Sequence, residues 1–291
     1  STGEGVQLYS SGVSSGHVIA YNKITRFADA ISVHQNRNTD IYGNQIWDLA
    51  DNGIEPDDSY ENIRVWGNIV DYVATHNLSF QPQRVGPWYI LYNQMTRDGV
   101  NLVKWRVQDR SVFVGNTFIG AESQGQHYMR SFMRNNLFIR GGSPIWNSTD
   151  NSDAYPTWYR ESMWTANWET DIDYNGYDRG GSGVFFKWVD NTQNYNSLST
   201  WSSAIGIDAN SMEVDADVIF SNYTVTPTNS LELSFGSNAA VDAGRAVPNL
   251  ADFYIGAAPD LGAHERGAVS LHYGPRNGTQ LHERELYWAK H

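Results

Sequence analysis

Cysteine is absent from the 291 residues, which removes disulfides, thiolate nucleophiles and cysteine metal sites together. Charge is sparse at 18%, below the rough quarter of a typical soluble chain. Basic residues are the scarcer sign, 20 Lys and Arg against 32 Asp and Glu, for a net charge of −12. That balance argues against nucleic acid as a partner, which asks for a basic stripe, and leaves room for a bound divalent cation. No apolar run reaches 18 residues, so no membrane span is expected. A signal peptide is not visible either. The chain opens within what reads as a coil already under way (Val6, Leu8, Val18, Ile19), so residue 1 is not expected to be the biological start.

Glycine (26) and aromatic residues (13%) are plentiful, which suits a β-rich, turn-rich fold. The strongest pattern is a set of six asparagines, Asn22, Asn44, Asn68, Asn93, Asn116 and Asn136. Each has an apolar residue three before it (Ile19, Ile41, Val65, Ile90, Phe113, Met133) and another two after it (Ile24, Ile46, Val70, Met95, Phe118, Phe138). The successive spacings are 22, 24, 25, 23 and 20 residues. A repeat of that length, made of short β-like pieces around a turn-compatible residue, is the signature of a solenoid. Stacked coils lie about 4.7–4.9 Å apart, so asparagines at one turn can bond amide to amide along the axis and satisfy groups that would be buried unpaired. Their role is read as structural.

Aligned on the asparagines, a second strand arrives eight to ten residues later and places Ile31, Ile54, Leu78 and Val103 inward. Strand alternation then turns Ser32/His34, Glu55/Asp57, Ser79/Gln81 and Lys104/Arg106 outward in one column. Pro56 is tolerated in an outer strand only at a bulge or strand end, which leaves the aim of Asp57 open.

The whole chain, 1–291, is read as a single all-β domain: regular coils over 5–146, an aromatic-rich insertion over 147–195, final coils and a cap over 196–266, and a polar tail over 267–291 that wraps back or serves an interface. A short helix is expected over Asn196–Ile205, behind an Asn/Ser cap. Strands are expected over Val214–Phe220 and Leu231–Phe235. An open solenoid end exposes strand edges, so a capping segment is expected there. Asn-x-Ser/Thr triplets occur at Asn77, Asn147, Asn222 and Asn277 and are weak evidence of glycosylation.

The coil period, the asparagine ladder, and Val241-Asp242-Ala243-Gly244 followed by Ala258-Pro259-Asp260-Leu261-Gly262-Ala263-His264-Glu265 together resemble secreted right-handed parallel β-helix proteins of the pectate-lyase-like superfold. The second motif is similar to their "DAG … PDLGAYE" ending, with His264 in place of the aromatic. The resemblance implies a right-handed parallel β-helix, a secreted or cell-surface location and a polysaccharide or oligosaccharide partner. It covers nearly the whole chain but is specific for fold, since the superfold hosts lyases, hydrolases, epimerases, tailspikes and adhesins. Asn38-Thr39-Asp40 resembles one element of polygalacturonase-like hydrolases, whose accompanying Asp-Asp, Gly-His-Gly and Arg-x-Lys elements are missing in order.

Two constellations could carry chemistry. Asp48, Asp51, Glu55, Asp57, Asp58 and Glu61 put six carboxylates into 14 residues, which repel unless solvent or a cation relieves them. Asp51, Glu55, Asp57 and Asp58 are the candidate ligands of a calcium ion, since hard cations favour clustered oxygens; no organic cofactor is implied. Alternatively Glu55 and Asp57, two apart on a strand and so roughly 6.5–7 Å apart, are the acids of a glycoside hydrolase, near the lower edge of the ~6.5–9.5 Å inverting window. The second constellation is Lys104 and Arg106 with Arg110 and Arg130. Lys104 lies two coils from Glu55, about 9.5–10 Å along the axis.

Together these suit β-elimination from a uronate: a cation at Glu55 and Asp57 neutralises the carboxylate, Lys104 with its pKa lowered by Arg106 takes the proton, and Arg106 or Arg130 grips the substrate. His76 is a further proton-transfer candidate. His34, Gln81, Gln83, Trp88, Arg110 and Arg130 are candidate substrate contacts. The working parts resemble those of β-helix alginate and chondroitin lyases in residue type only. The expectation is an extracellular enzyme cleaving an acidic glycan, by elimination before hydrolysis, with a non-catalytic glycan-binding or structural module as the rival.

Overall fold

In the computed structural model, residues 3–9, 12–81, 83–96, 102–105, 108–120, 123–125, 128–139, 146–148, 171–180, 186–188 and 193–276 are described. They form a parallel β-helix whose coils contribute to three long sheets. Sheet 1 has nine strands, stacked from Val6–Leu8 through Ile31–Val33, Ile54–Glu55, Leu78–Phe80 and Val103–Trp105 onward. Sheet 2 has seven, beginning Val18–Ala20, Thr39–Tyr42, Ile63–Trp66 and Trp88–Leu91. Sheet 3 has eight, beginning Lys23–Thr25, Gln45–Leu49, Ile69–Val73 and Gln94–Thr96. All pairings in these sheets are parallel except that of Gln193–Tyr195 with Phe186–Trp188, which closes sheet 1.

The register follows the apolar pattern. Ile31 pairs with Ile54, Ile54 with Leu78 and Leu78 with Val103, all enclosed in the core. In sheet 2, Ile19, Ile41, Val65, Ile90 and Phe113 stack in the same way. Burying such a file of Ile, Val and Phe contributes roughly 1.5–3 kcal/mol per side chain, which is what fixes the register against slippage.

The asparagines sit at the turn from sheet 2 to sheet 3. Each side-chain amide donates to the next Oδ1: Asn22 to Asn44 at 2.9 Å, Asn44 to Asn68 at 3.0 Å, Asn68 to Asn93 at 2.9 Å, Asn93 to Asn116 at 3.0 Å and Asn116 to Asn136 at 2.8 Å. The same Oδ1 accepts the backbone N–H of the preceding asparagine, as from Asn44 to Asn68 at 3.0 Å. The residue before each rung is left-handed, with φ 57° at Tyr21, 63° at Gly43, 56° at Gly67, 53° at Tyr92 and 64° at Gly115. Two of the glycines follow a tyrosine rung for a packing reason: a Cβ on Gly43 would lie 2.5 Å from the Tyr21 ring, and one on Gly115 would lie 2.5 Å from Tyr92.

A seventh rung, Asn175, accepts from Asn136 at 2.9 Å. It lies 39 residues beyond Asn136, outside the 20–25 residue spacing, yet keeps the flanking pattern in Ile172 and Tyr177. The ladder ends on Asp208, which is buried and accepts from Ser211 Oγ at 2.6 Å, Trp201 Nε1 at 2.9 Å and Tyr177 OH at 3.0 Å.

The core is closed by the helix Leu198–Ile205, whose N-cap Ser197 Oγ accepts from Thr200 N–H. Trp201 is fully buried and stacks on Phe186 at 4.7 Å. The segment expected to cap the end, 242–265, instead runs along the flank. Val247 and Ala251 pack with Leu91 and Val114 of sheet 2, and Ala263 N–H donates to Thr117 Oγ1 of sheet 3. Its acids tie its own loop: Asp242 Oδ1 accepts from Ala257 and Ala258 N–H, and Glu265 from Ile255 and Asp260 N–H.

Further corrections concern the strands expected before this segment. Ala216–Ile219 is a helix capped by Asp215, since Ala216, Ile219 and Phe220 bury on an i, i+3, i+4 stripe. Leu233 makes only an isolated bridge to Phe220. The described part of the tail, 267–276, wraps back: Gly274 N–H donates to Gly43 O, and the Arg276 guanidinium lies 3.4 Å from the Tyr21 ring centroid. Most of the insertion, 149–170, 181–185 and 189–192, lies outside the described residues. Asn77 is buried and donates to Val70 and Thr96 carbonyls, so its triplet is structural.

Candidate functional site

The outward file of sheet 1 runs Gln7, Ser32, Glu55, Ser79, Lys104, as the registers Gln7↔Ser32, Ser32↔Glu55 and Ser79↔Lys104 show. Small residues on either side of Glu55 shape the site. Ser32 and Ser79 are both buried, and a side chain from the coil before Ser79 reaches over it. Pro56 ends the strand at Glu55, because it has no N–H for the ladder. Asp57 is thereby released, and its Oδ1 reaches across to the next coil, accepting from Ser79 Oγ at 2.8 Å and Gln81 N–H at 2.8 Å. Asp57 is buried and Glu55 half-buried.

Two acids therefore share a partly dry surface with Lys104. Burial, followed by the charges of Asp57, Asp29 and Asp51, pushes Glu55 up to about 8, against the opposing pull of Lys104. Burial also raises Asp57, against the hydrogen bonds from Ser79 and the Gln81 backbone and the charges of His34 and Lys104. Desolvation outweighs pairing at both groups, and at Glu55 it yields a carboxylic acid that holds its proton at neutral pH.

Asn52 organises the rim of the cluster. Its Nδ2 donates to Glu55 Oε1 at 2.6 Å, and its Oδ1 accepts from Thr75 Oγ1 at 2.6 Å and lies 3.1 Å from His76 Nδ1. Asn52 thus bridges His76 and Glu55. Sequence reasoning missed Asn52. The available signal was its stacking position: Ile54 pairs with Leu78, which sets Asn52 level with His76 one coil on.

The other expected site residues divide. His34 lies beside Asp57, its ring 4.7 Å from that of Tyr9. Gln81 supplies its backbone. Asp51 is turned to Thr75 at 2.7 Å, and Asp58 to Arg84 at 2.5 Å and Gln35 at 3.2 Å. Asp58 is thus engaged away from the other expected calcium ligands, while Asp51 shares the Asn52 amide with Glu55, and among the described residues no group of three or more His, Asp or Glu is placed to hold a metal. Trp88 is a correction: it is fully enclosed in the core, stacked on Phe80 at 4.9 Å, with its Nε1 donating to the Tyr60 carbonyl. Its position opens a sheet 2 strand whose alternation points it inward. Gln83 is likewise buried and accepts from Ser111 Oγ at 2.7 Å, so it holds the turn between sheets. Arg110 and Arg130 both occupy the left-handed position entering sheet 2, φ 57° and 46°, a different file from Lys104. Arg106 lies outside the described residues.

Comparison of the chain with protein-family models, curated proteins and solved structures finds no match. The class is given by the fold, a parallel β-helix, and the function is argued from the cluster on sheet 1. Among the described residues no helix is long and apolar enough to cross a membrane.

Proposed function

We propose that this chain is a secreted or cell-surface enzyme that cleaves an acidic polysaccharide on the outer face of sheet 1, by hydrolysis, with Glu55 as proton donor and Asp57 as the second carboxylate. The observation that carries the reading is the pair itself: an acid raised to about 8 beside a buried carboxylate, on the outward file of sheet 1. A glycosidase needs one carboxyl that keeps its proton to give to the leaving oxygen and a second that acts as base or nucleophile. In this reading Lys104, two coils from Glu55, meets a substrate carboxylate, and His34 and Gln81 border the same surface.

Elimination is the second reading, favoured by Lys104 standing in register with Ser79 across from Glu55. In that reading Lys104 takes the proton and Glu55 protonates the leaving oxygen. Any calcium dependence would rest on Glu55, Asp57 and Asp51, since Asp58 is engaged by Arg84 and Gln35. The test is a panel of acidic polysaccharides incubated with wild-type protein and with Glu55→Gln, with and without chelator. New reducing ends without ultraviolet-absorbing unsaturation mark hydrolysis, and unsaturated ends mark elimination. Binding with no product from any polymer would refute cleavage and leave a glycan-binding module.

A further inference from the structure

A second concave site lies on another face, at the far end of sheet 2, where the flank segment around residues 245–248 crosses the last coils. It is a groove of about 520 Å³, lined by Phe132, Arg134, Asp173, Tyr174, Asn210 and Arg245 with an apolar lip beyond them. That volume falls within the ~300–1,000 Å³ of small-ligand sites.

The floor is rigid. The Arg134 guanidinium lies 5.5 Å from the Phe132 ring centroid and 5.3 Å from that of Tyr174. It is pinned by ion pairs to Asp171 and, at 3.1 Å, to Asp173. Asp173 in turn accepts from Asn210 N–H at 2.6 Å, Asn210 Nδ2 at 2.7 Å and Tyr174 N–H at 3.0 Å. The opposite wall carries a cation. The Arg245 backbone is clamped to Asn135 in both directions, N–H to Oδ1 at 2.7 Å and Nδ2 to O at 2.9 Å. Its side chain is exposed, and among the described residues no carboxylate pairs with it. In a chain of net charge −12, an exposed arginine lining a groove whose other arginine is held by Asp171 and Asp173 is suited to an anion. The aromatic and guanidinium surfaces beside it offer flat faces to the CH side of a sugar ring.

We propose that this groove binds an acidic saccharide unit, its carboxylate held by Arg245 and its ring against Tyr174, as a glycan-binding site separate from the sheet 1 cluster. It is a binding site only, so it stands whether or not sheet 1 cleaves. The test is a titration of isotope-labelled protein with trigalacturonate, with neutral maltotriose as control, followed through backbone amide shifts. Trigalacturonate is expected to shift the amides of Tyr174, Asn210 and Ala246 in wild-type protein and equally in Glu55→Gln. Arg245→Glu is expected to weaken this response about tenfold or more, the effect of losing a charge-assisted pair and gaining a repulsive one. Maltotriose is expected to bind more weakly and without regard to residue 245. Absence of shifts at these amides, an unchanged affinity in Arg245→Glu, or equal binding of maltotriose would each overturn the proposal. Failure of cleavage alone would leave it intact.

Discussion

Two buried polar systems in this β-helix, one at the turn between sheets 2 and 3 and one on the outer face of sheet 1, resolve the same problem in opposite ways. In the asparagine ladder every amide is both donor and acceptor, and each rung completes the one before it. Even where the ladder ends on an acid, Asp208 receives donors from Ser211, Trp201, Tyr177 and Asn175, so that burial pushes it up only to about 6. On sheet 1, Glu55 has one described donor, Asn52, and three acids nearby, and it rises to about 8. Full satisfaction makes a polar group structural; partial satisfaction leaves an acid poised to move a proton.

That contrast can be broken from either side. The largest effect is expected in the ladder. Asn68→Ala strands the Asn44 backbone N–H, one Asn44 amide proton and the Ile41 carbonyl, three buried groups at about 1–3 kcal/mol each, so denaturant unfolding should show a loss on the order of 4 kcal/mol. Below its unfolding midpoint the variant should keep its cleavage rate. Trp88→Ala should cost about 3–5 kcal/mol of stability as a core truncation, again without a selective effect on substrate affinity.

On sheet 1 the balance reverses. Glu55→Gln should lower cleavage about 10²–10⁴-fold, the usual reach of a proton donor, while the fold survives. Its stability effect has a defined sign. The folded protein holds the Glu55 proton between its ordinary value of 4.5 and about 8, so the contribution of this group is fully present below pH 4.5 and is lost as pH rises through 8. Thermal unfolding should therefore show Glu55→Gln more stable than wild type at pH 9 and little different at pH 4. The smallest effect belongs to Arg84→Ala: the Asp58 ion pair is surface-exposed, and equilibrium unfolding should change by at most about 1 kcal/mol.

The fold was legible because the apolar residues at −3 and +2 around each asparagine mark strand and turn together, and the column Ser32, Glu55, Ser79, Lys104 follows from that register. Asn175 escaped because the insertion lengthened one coil, although Ile172 and Tyr177 kept the pattern. The site was legible only in part. Outward alternation located Glu55 and Lys104, but the reach of Asp57 depends on the strand ending at Pro56, and the diversion of Asp58 to Arg84 is a choice of rotamer and partner that spacing does not encode. Trp88 misled because an aromatic at a strand start reads equally as a sugar platform or as core. Alternation of Val214, Ala216, Val218 and Phe220 favours strand, while Asp215 supplies the cap that tips Ala216–Ile219 to helix.

The central claim is that Glu55 keeps its proton at neutral pH because its surroundings under-satisfy the charged form. A carbon-13 NMR titration of the Glu55 side-chain carboxyl, assigned by comparison with Glu55→Gln, measures this directly. The account predicts a midpoint near 8; a midpoint near the ordinary 4.5 would contradict it.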